Sequence, residues 1–216
     1  EDEMRAFLIR HFLLLGVIGL ILTGCQTMPT GGGAAVDNYN LGRAAYDAGD
    51  YQNAVAYFLE ATRLDPRYGE AFYGLGRAYE AQNMNRQALD AYLNAVSVQP
   101  SHGAAHARAG ILYFKQREYV PAETHLKRAT EYAPSDPLPF YYLGEIYRMQ
   151  GNCKASVDMY KKALALNPGL LDAKEGLRRA QREICGGGGG GGNRPPKVER
   201  ATEFTGGGRA LKPGEW

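Results

Sequence analysis

Few side chains in this sequence have a type and spacing that could do chemistry. His102 and His106 lie four residues apart, so a helix would place both on one face. Two histidines alone do not make a zinc site, which needs three or four ligands, and we expect a packing role for His106. No nucleophile–base constellation and no glycine-rich phosphate loop is recognisable. The sequence therefore predicts no enzyme, no metal site and no cofactor.

The composition and net charge of the chain limit the kinds of molecule that it is expected to bind. The apolar fraction is 44%, which is ordinary for a folded protein. The formal net charge over 216 residues is only +2, which is too small to indicate a nucleic-acid partner. We therefore expect a folded protein that binds no nucleic acid.

The elements that would position these residues recur along the chain. One glycine column, one proline column and two alanine columns each repeat with a step of 34 residues. A shared step of this length indicates a repeat of two antiparallel helices, and such pairs stack to bury their apolar faces. The columns are Gly42, Gly76, Gly110 and Gly144; Pro66, Pro100, Pro134 and Pro168; Ala61, Ala95, Ala129 and Ala163; and Ala54, Ala88, Ala122 and Ser156.

The second repeat resembles the tetratricopeptide pattern closely, at Leu75-Gly76, Tyr79, Ala88, Tyr92, Ala95 and Pro100. This resemblance covers about two-thirds of the chain and implies an all-α solenoid of about four helix–turn–helix repeats. A polar capping helix would let the array end in water. We expect the repeats at 35–68, 69–102, 103–136 and 137–170, and the capping helix at 171–184.

Each repeated column has an expected packing role. The small residues let the two helices of a pair approach closely, and the proline ends the second helix. Larger residues fill the seam, namely Leu41, Leu75, Ala109 and Leu143 from the first helices and Phe58, Tyr92, Leu126 and Tyr160 from the second helices.

The family resemblance also implies a binding surface on the concave face, lined mainly by the first helix of each pair. The Lys and Asn set that grips a terminal carboxylate in chaperone-binding relatives is absent, so we expect a protein or peptide ligand in a tyrosine and arginine groove. The alternative is that these tyrosines only pack between helices. The predicted groove residues are Tyr39, Arg43, Tyr46, Tyr73, Arg77, Glu80, Phe114, Tyr141, Glu145 and Arg148, and the same columns contain Ala107 and Ile111.

The N-terminal stretch is typical of an export signal. Arg5 and Arg10 precede the apolar run Phe12–Leu22, which is too short to span a bilayer comfortably and fits a signal peptide at 1–24. Leu22-Thr23-Gly24-Cys25 resembles a bacterial lipobox, which implies that Cys25 is acylated and anchors the protein to a membrane. A flexible tether at 25–34 would follow. The alternatives are an ordinary secretory signal or an uncleaved anchor helix.

Gln26 follows the cysteine rather than Asp, which in enterobacteria-like systems implies the outer membrane, facing the periplasm. In architecture the chain resembles lipoproteins that assist type IV or tight-adherence (Flp) pilus assembly, where an array binds a secretin or another subunit. Two alternatives remain open, an adaptor that recruits cell-wall hydrolases or proteases and an enzyme with an unrecognised site.

The last two cysteines lie near the end of the array. Cys153 is expected in the turn between the helices of the fourth repeat, and Cys185 just past the capping helix. Successive first helices of a solenoid run side by side, so these positions would be neighbours and an exported protein could form a disulfide there. The alternative is two free thiols. Seven glycines at 186–192 begin a tail, 185–216, that we expect to be disordered.

Overall fold

The computed structural model describes residues 31–185, with side chains described from residue 33 to residue 182. These residues form nine α-helices and no strand, as predicted. Within residues 31–185, no helix is both long enough and apolar enough to cross a membrane. The helices belong to two compact units, of which the first ends at Pro100 and the second begins at Ser101.

The first unit consists of two antiparallel helix pairs. Its helices are α1 (Gly31–Asp47), α2 (Tyr51–Leu64), α3 (Gly69–Ala81) and α4 (Asn85–Val98). Helix α1 begins four residues before the expected start of the first repeat, inside the predicted tether. Glycine weakens a helix by only about 1 kcal/mol per residue, so the hydrogen-bond ladder can extend into Gly31–Gly33. Residues 25–30 lie outside the described part.

The second unit consists of two further pairs and one last helix. Its helices are α5 (Gly103–Lys115), α6 (Tyr119–Tyr132), α7 (Pro137–Met149), α8 (Cys153–Leu166) and α9 (Leu171–Cys185). Asp136 caps α7 by accepting a hydrogen bond from the Leu138 amide, and Pro137 occupies the first helical turn.

The connection within each pair uses a left-handed residue. Gly49, Asn83, Arg117 and Gly151 have φ between 61° and 80°, and they are separated by the same 34-residue step. This backbone conformation reverses the chain after the first helix of each pair. The second helix of each pair, α2, α4, α6 or α8, ends two residues before the proline of its repeat.

The seam within each pair is as close as the repeat pattern requires. A Cβ atom on Gly76 would lie 2.5 Å from a ring atom of Tyr92, and one on Gly144 would lie 2.7 Å from the Tyr160 ring. Both tyrosine side chains are fully buried. Larger residues at the glycine positions would therefore push the paired helices apart.

One predicted core residue is exposed. Leu41 occupies the same column as Leu75 and Leu143, which are buried, but 50% of its surface is accessible. The column packs against the preceding repeat, and no described helix precedes α1. The prediction that Leu41 fills the seam is therefore wrong, because a column position is buried only where a neighbour covers it.

Candidate peptide-binding site

A cavity of about 130 Å³ lies between α1 and α3 of the first unit. It is lined by five of the ten predicted groove residues, because α1 and α3 are the first helices of successive repeats and carry these residues in corresponding columns. The lining residues are Tyr39, Arg43, Tyr46, Asp47, Phe58, Glu70, Tyr73, Gly74 and Arg77.

Two arginines of the cavity lie over tyrosine rings. The guanidinium carbon of Arg77 is 4.3 Å from the ring centroid of Tyr46, and that of Arg43 is 5.9 Å from the ring centroid of Tyr39. Stacking on an aromatic face orients a guanidinium while leaving its N–H donors available at the edge. The arrangement suits recognition of a carboxylate or carbonyl group.

The tyrosines both pack and line the site. The ring centroid of Tyr39 is 5.8 Å from that of Phe58 and 5.1 Å from that of Tyr68. The Tyr73 ring is 5.7 Å from the ring of Tyr92, centroid to centroid. Tyr39 and Tyr73 are half-buried, so one side of each ring supports the core and the other reaches the cavity.

Two carboxylates in the cavity were missed by the sequence analysis. Asp47 follows Arg43 by four residues and Glu70 precedes Tyr73 by three, so helical spacing places each beside a predicted residue. Burial, and then the nearby Glu70 charge, raises the pKa of the Tyr39 hydroxyl above its usual value. The helical spacing of the two carboxylates from predicted groove residues was the sequence signal that could have identified them.

Glu80 is engaged inside the first unit. Its Oε2 accepts a hydrogen bond of 2.8 Å from the hydroxyl of buried Tyr92. The predicted groove residue thus satisfies a core hydroxyl and does not line the cavity. We leave it out of the ligand-contacting set.

The second unit presents a different surface at the corresponding positions. Ala107 and Ile111 are buried in its core. Phe114 lies against two aromatic rings, with centroid distances of 5.7 Å to Tyr119 and 5.1 Å to Tyr142. These predicted positions contribute to packing.

Glu145 and Arg148 join Tyr160 in an internal network. Glu145 is only 8% exposed, and its Oε1 accepts a hydrogen bond of 2.6 Å from the Tyr160 hydroxyl. Its Oε2 is 2.9 Å from Nη2 of Arg148. Burial, together with the hydrogen bond to Glu145, raises the pKa of Tyr160. Burial and the Glu145 charge also raise the pKa of Tyr141 to about 12. Glu145 and Arg148 therefore contribute to the internal packing of the second unit.

The histidines contribute to packing and capping. His102 Nδ1 accepts a hydrogen bond from the Ala105 amide at the start of α5. His106 is buried, with its Nδ1 3.0 Å from Nδ1 of His125 and its ring stacked on Tyr132. Among the described side chains, no three His, Cys, Asp or Glu residues are grouped as a metal site would need.

The cysteine predictions fall largely outside the described residues. Cys25 is not described, and Cys185 is described only as the last residue of α9. Cys153 was expected in the turn of the fourth repeat, but it is the half-buried first residue of α8, directly after Asn152, which caps that helix. The disulfide between Cys153 and Cys185 stays a prediction.

The cavity is small enough to define what it could accept. A volume of about 130 Å³ lies below the several hundred Å³ typical of small-molecule sites. It matches one or two side chains better than a whole ligand. Aromatic walls with guanidinium and carboxylate groups at the rim are suited to an anchoring side chain and its flanking peptide backbone.

The fold is shared with solved tetratricopeptide structures at low sequence identity. A crystal structure of MamA protein matches with a TM-score of 0.64 at 20% identity, covering 70% of this chain and 83% of that chain. MamA 41-end from Desulfovibrio magneticus RS-1 matches with a TM-score of 0.59 at 21% identity, covering 71% and 92%. YrrB, a tetratricopeptide protein with an unusual peptide-binding site, matches with 0.62 at 21% identity, covering 69% and 77%.

Comparison with curated protein sequences gives no match. The tetratricopeptide repeat family matches residues 39–84, 80–137 and 110–170, which together are more than half of the chain. The predicted fold class, an all-α tetratricopeptide solenoid with a terminal helix, is thereby confirmed. The chain belongs to the tetratricopeptide repeat family.

Proposed function

We propose that this protein is a non-catalytic scaffold that binds an extended peptide segment of a partner protein in the cavity of the first unit. Tetratricopeptide proteins are generally protein–protein interaction scaffolds. The single observation that carries the proposal is the clustering of Arg43 and Arg77 with the tyrosines of α1 and α3 around one side-chain-sized cavity.

The charges of the cavity indicate what kind of peptide it would hold. Arg43 and Arg77 are balanced by Asp47 and Glu70, so the site has no large net charge to attract a highly charged ligand. Paired donors and acceptors at its rim suit the alternating N–H and C=O groups of an extended backbone. A side chain with an aromatic or carboxylate end would fill the centre.

Selection from a random peptide library displayed on phage tests the binding site. We expect wild-type protein to select peptides, and Arg43→Ala/Arg77→Ala to bind those peptides at least about tenfold more weakly, since such residues are common hot spots. The matched control is Arg67→Ala/Arg86→Ala, which removes two exposed arginines of the same unit from outside the cavity. Equal loss in both variants would show that charge rather than the cavity drives binding.

We further propose that Cys25 is acylated and anchors this scaffold to the bacterial outer membrane, on the side that faces the periplasm. The lipobox-like Leu22–Cys25 after an apolar run supports this proposal. We expect Cys25→Ser to accumulate as an unprocessed precursor, whereas Cys153→Ser is processed normally. Mass spectrometry of membrane fractions distinguishes the two, and normal processing of Cys25→Ser would contradict the proposal.

The finer role that this architecture supports is assistance in the assembly of an envelope machine such as a pilus or its secretin. An acylated scaffold with this side-chain-sized cavity could hold an assembly subunit near the membrane. Affinity capture from membranes of the native host tests this role. Recovery of cell-wall hydrolases or proteases instead would favour an adaptor function.

A further inference from the structure

The last helix of the second unit leaves an apolar groove uncovered. The groove has a volume of about 560 Å³ and runs between α8 and α9. Leu171 at its edge is 73% exposed. Each first helix of the four described pairs is covered by a second helix, and α9 lacks one within residues 31–185. The lining residues are Leu164, Leu171, Asp172, Lys174, Glu175, Leu177 and Arg178.

The repeat pattern places a chain reversal at the end of α9. The left-handed turn column, which includes Arg117 and Gly151, next falls on Cys185 after one more 34-residue step. Gly186 follows immediately, and glycine adopts turn conformations without steric cost. Cys185 is the last residue of α9, whereas the left-handed residue of each other pair lies two residues beyond its first helix, so a turn back along α9 would begin at Gly186.

A five-residue segment of the tail matches part of a second helix of the array. Arg200-Ala-Thr-Glu-Phe204 repeats Arg128-Ala-Thr-Glu-Tyr132 of α6 except for one aromatic exchange. In this alignment Ala201 corresponds to Ala129, and Val198 corresponds to Leu126, both of which are fully buried in α6. The tail thus has a small and an apolar residue at two of the three buried columns of a second helix, and the third column, that of Ala122, falls on Arg194.

The spacing of this segment also fits a fifth pair. Ala201 lies four residues later than one 34-residue step after Ala163 would place it, and the run of seven glycines at 186–192 accounts for the added length. Lengthening a loop by a few residues costs little closure entropy. Pro196 would stand at the first position of the helix, where proline is tolerated, because a residue that precedes a proline is disfavoured in the α region.

The order of side-chain sizes at the seam of this fifth pair would be the reverse of that in the described pairs. In the described pairs a glycine such as Gly144 lies against a large residue such as Tyr160. The next position of the glycine column is Arg178, whose side chain is largely exposed. Opposite it, the tail presents Val198, which is smaller than the Phe, Tyr or Leu of the other pairs. The bulk lost on the tail thus offsets only part of the bulk gained on α9, and the Arg178 side chain must remain directed toward solvent, as it is in its contact with Glu175.

We propose that residues 196–204, although they belong to the tail for which the sequence predicts disorder, dock as a helix in the groove beside α9 of the same chain and complete a fifth helix pair. A flexible connection of the 12 residues between Cys185 and Val198 would have a root-mean-square span of roughly 17–21 Å, which is comparable to the length of α9. Because the segment is tethered, docking is intramolecular and needs only a small contact area.

Amide hydrogen exchange of the full chain in detergent tests this docking. We expect amides 198–204 of the wild type to exchange about tenfold more slowly than in Val198→Asp/Ala201→Asp, since exchange follows the undocked population. Arg200→Asp introduces the same change in net charge at a position that matches exposed Arg128, and we expect it to retain the protection. Leu171→Asp alters the groove instead and should abolish protection of the tail.

Two outcomes would overturn the inference. The first is exchange of wild-type amides 198–204 at the rate seen in the Val198→Asp/Ala201→Asp variant, which would mean that the groove is not filled by this segment. The second is protection that appears only as protein concentration rises, which would mean that the segment docks on a second copy. Concentration-independent protection that Leu171→Asp removes supports docking within one chain.

Discussion

The two units carry the same pair of polar residues in opposite order. Helix α3 of the first unit has Arg77 followed one turn later by Glu80, whereas α7 of the second unit has Glu145 followed by Arg148. In each unit the glutamate accepts a hydrogen bond from the hydroxyl of a buried tyrosine, with an oxygen–oxygen distance of 2.8 Å in the first unit and 2.6 Å in the second.

This reversal separates a surface that can bind from one that supports the core. A buried tyrosine hydroxyl needs an acceptor, and either of two positions one helical turn apart can supply it. In the first unit Glu80 supplies it, and Arg77 stays at the cavity with Tyr46. In the second unit Glu145 supplies the acceptor. It lies in the column that faces the cavity in the first unit, and its side chain is buried.

The largest expected effect concerns the apolar column that differs between the first helix and the later ones. We expect Leu143→Ala to lower the free energy of unfolding by about 3 kcal/mol, because it leaves a cavity in a buried seam. Leu41→Ala removes the same atoms from an exposed position and should change stability by less than about 0.5 kcal/mol. Urea unfolding followed by circular dichroism measures both.

A comparable loss in the two variants would show that Leu41 is covered in solution. In that case a segment outside the described residues, or a partner, would protect the outer face of α1. Leu75→Ala is the internal control, because Leu75 shares the column and is buried in the first unit.

The second prediction tests the reversed polar pair. Glu145→Ala leaves the Tyr160 hydroxyl and the Arg148 guanidinium without this partner in a buried place, so we expect a loss of about 2–3 kcal/mol. Glu80→Ala removes a half-buried acceptor of Tyr92 and should cost about 1 kcal/mol. Thermal unfolding of both variants gives the comparison. Equal losses would mean that the two networks are equivalent and that the reversal has no energetic consequence.

Much of the fold was predictable because its determinants are local and periodic. The 34-residue columns located the helix pairs, and the prolines located the ends of the second helices. The left-handed turn column was missed because its residues differ in type, although Gly49 and Gly151 share the step. A column is easy to read only when one property, such as small size, is required at every repeat.

The candidate site was predictable in the first unit and much less so in the second. Column position assigned Arg43 and Arg77 to one predicted groove, and the structure brings both to one cavity, because helical spacing fixes the face of a helix on which a residue lies. It did not distinguish Glu145, since burial there depends on which residue satisfies the Tyr160 hydroxyl. That choice is made between elements far apart in sequence and leaves no local pattern.

The third prediction uses a titratable pair found in the second unit, since residues 31–100 contain no histidine. Burial, then the adjacent His106, and then Arg128 lower the pKa of His125 from about 6.5 to about 4. The unfolded chain therefore binds the proton first as pH falls, so stability is complete above pH 6.5 and declines toward pH 4. We expect His125→Gln to lose part of this dependence in urea unfolding across that range. An unchanged pH profile would contradict the prediction.

The smallest expected effect concerns the turns. Gly49 and Gly151 adopt a left-handed conformation at no steric cost, but Arg117 has φ of 63° with a Cβ atom present. We expect Arg117→Gly to raise the free energy of unfolding by about 0.5–1 kcal/mol, since relief of backbone strain outweighs the greater freedom of glycine in the unfolded chain. Asn83→Gly in the first unit should gain less, because asparagine tolerates this conformation better than other residues. Thermal unfolding of both variants, with Gly151→Ala as the destabilising control, ranks the turns. If Arg117→Gly lowers stability, the long arginine side chain contributes more to the second unit than its backbone costs.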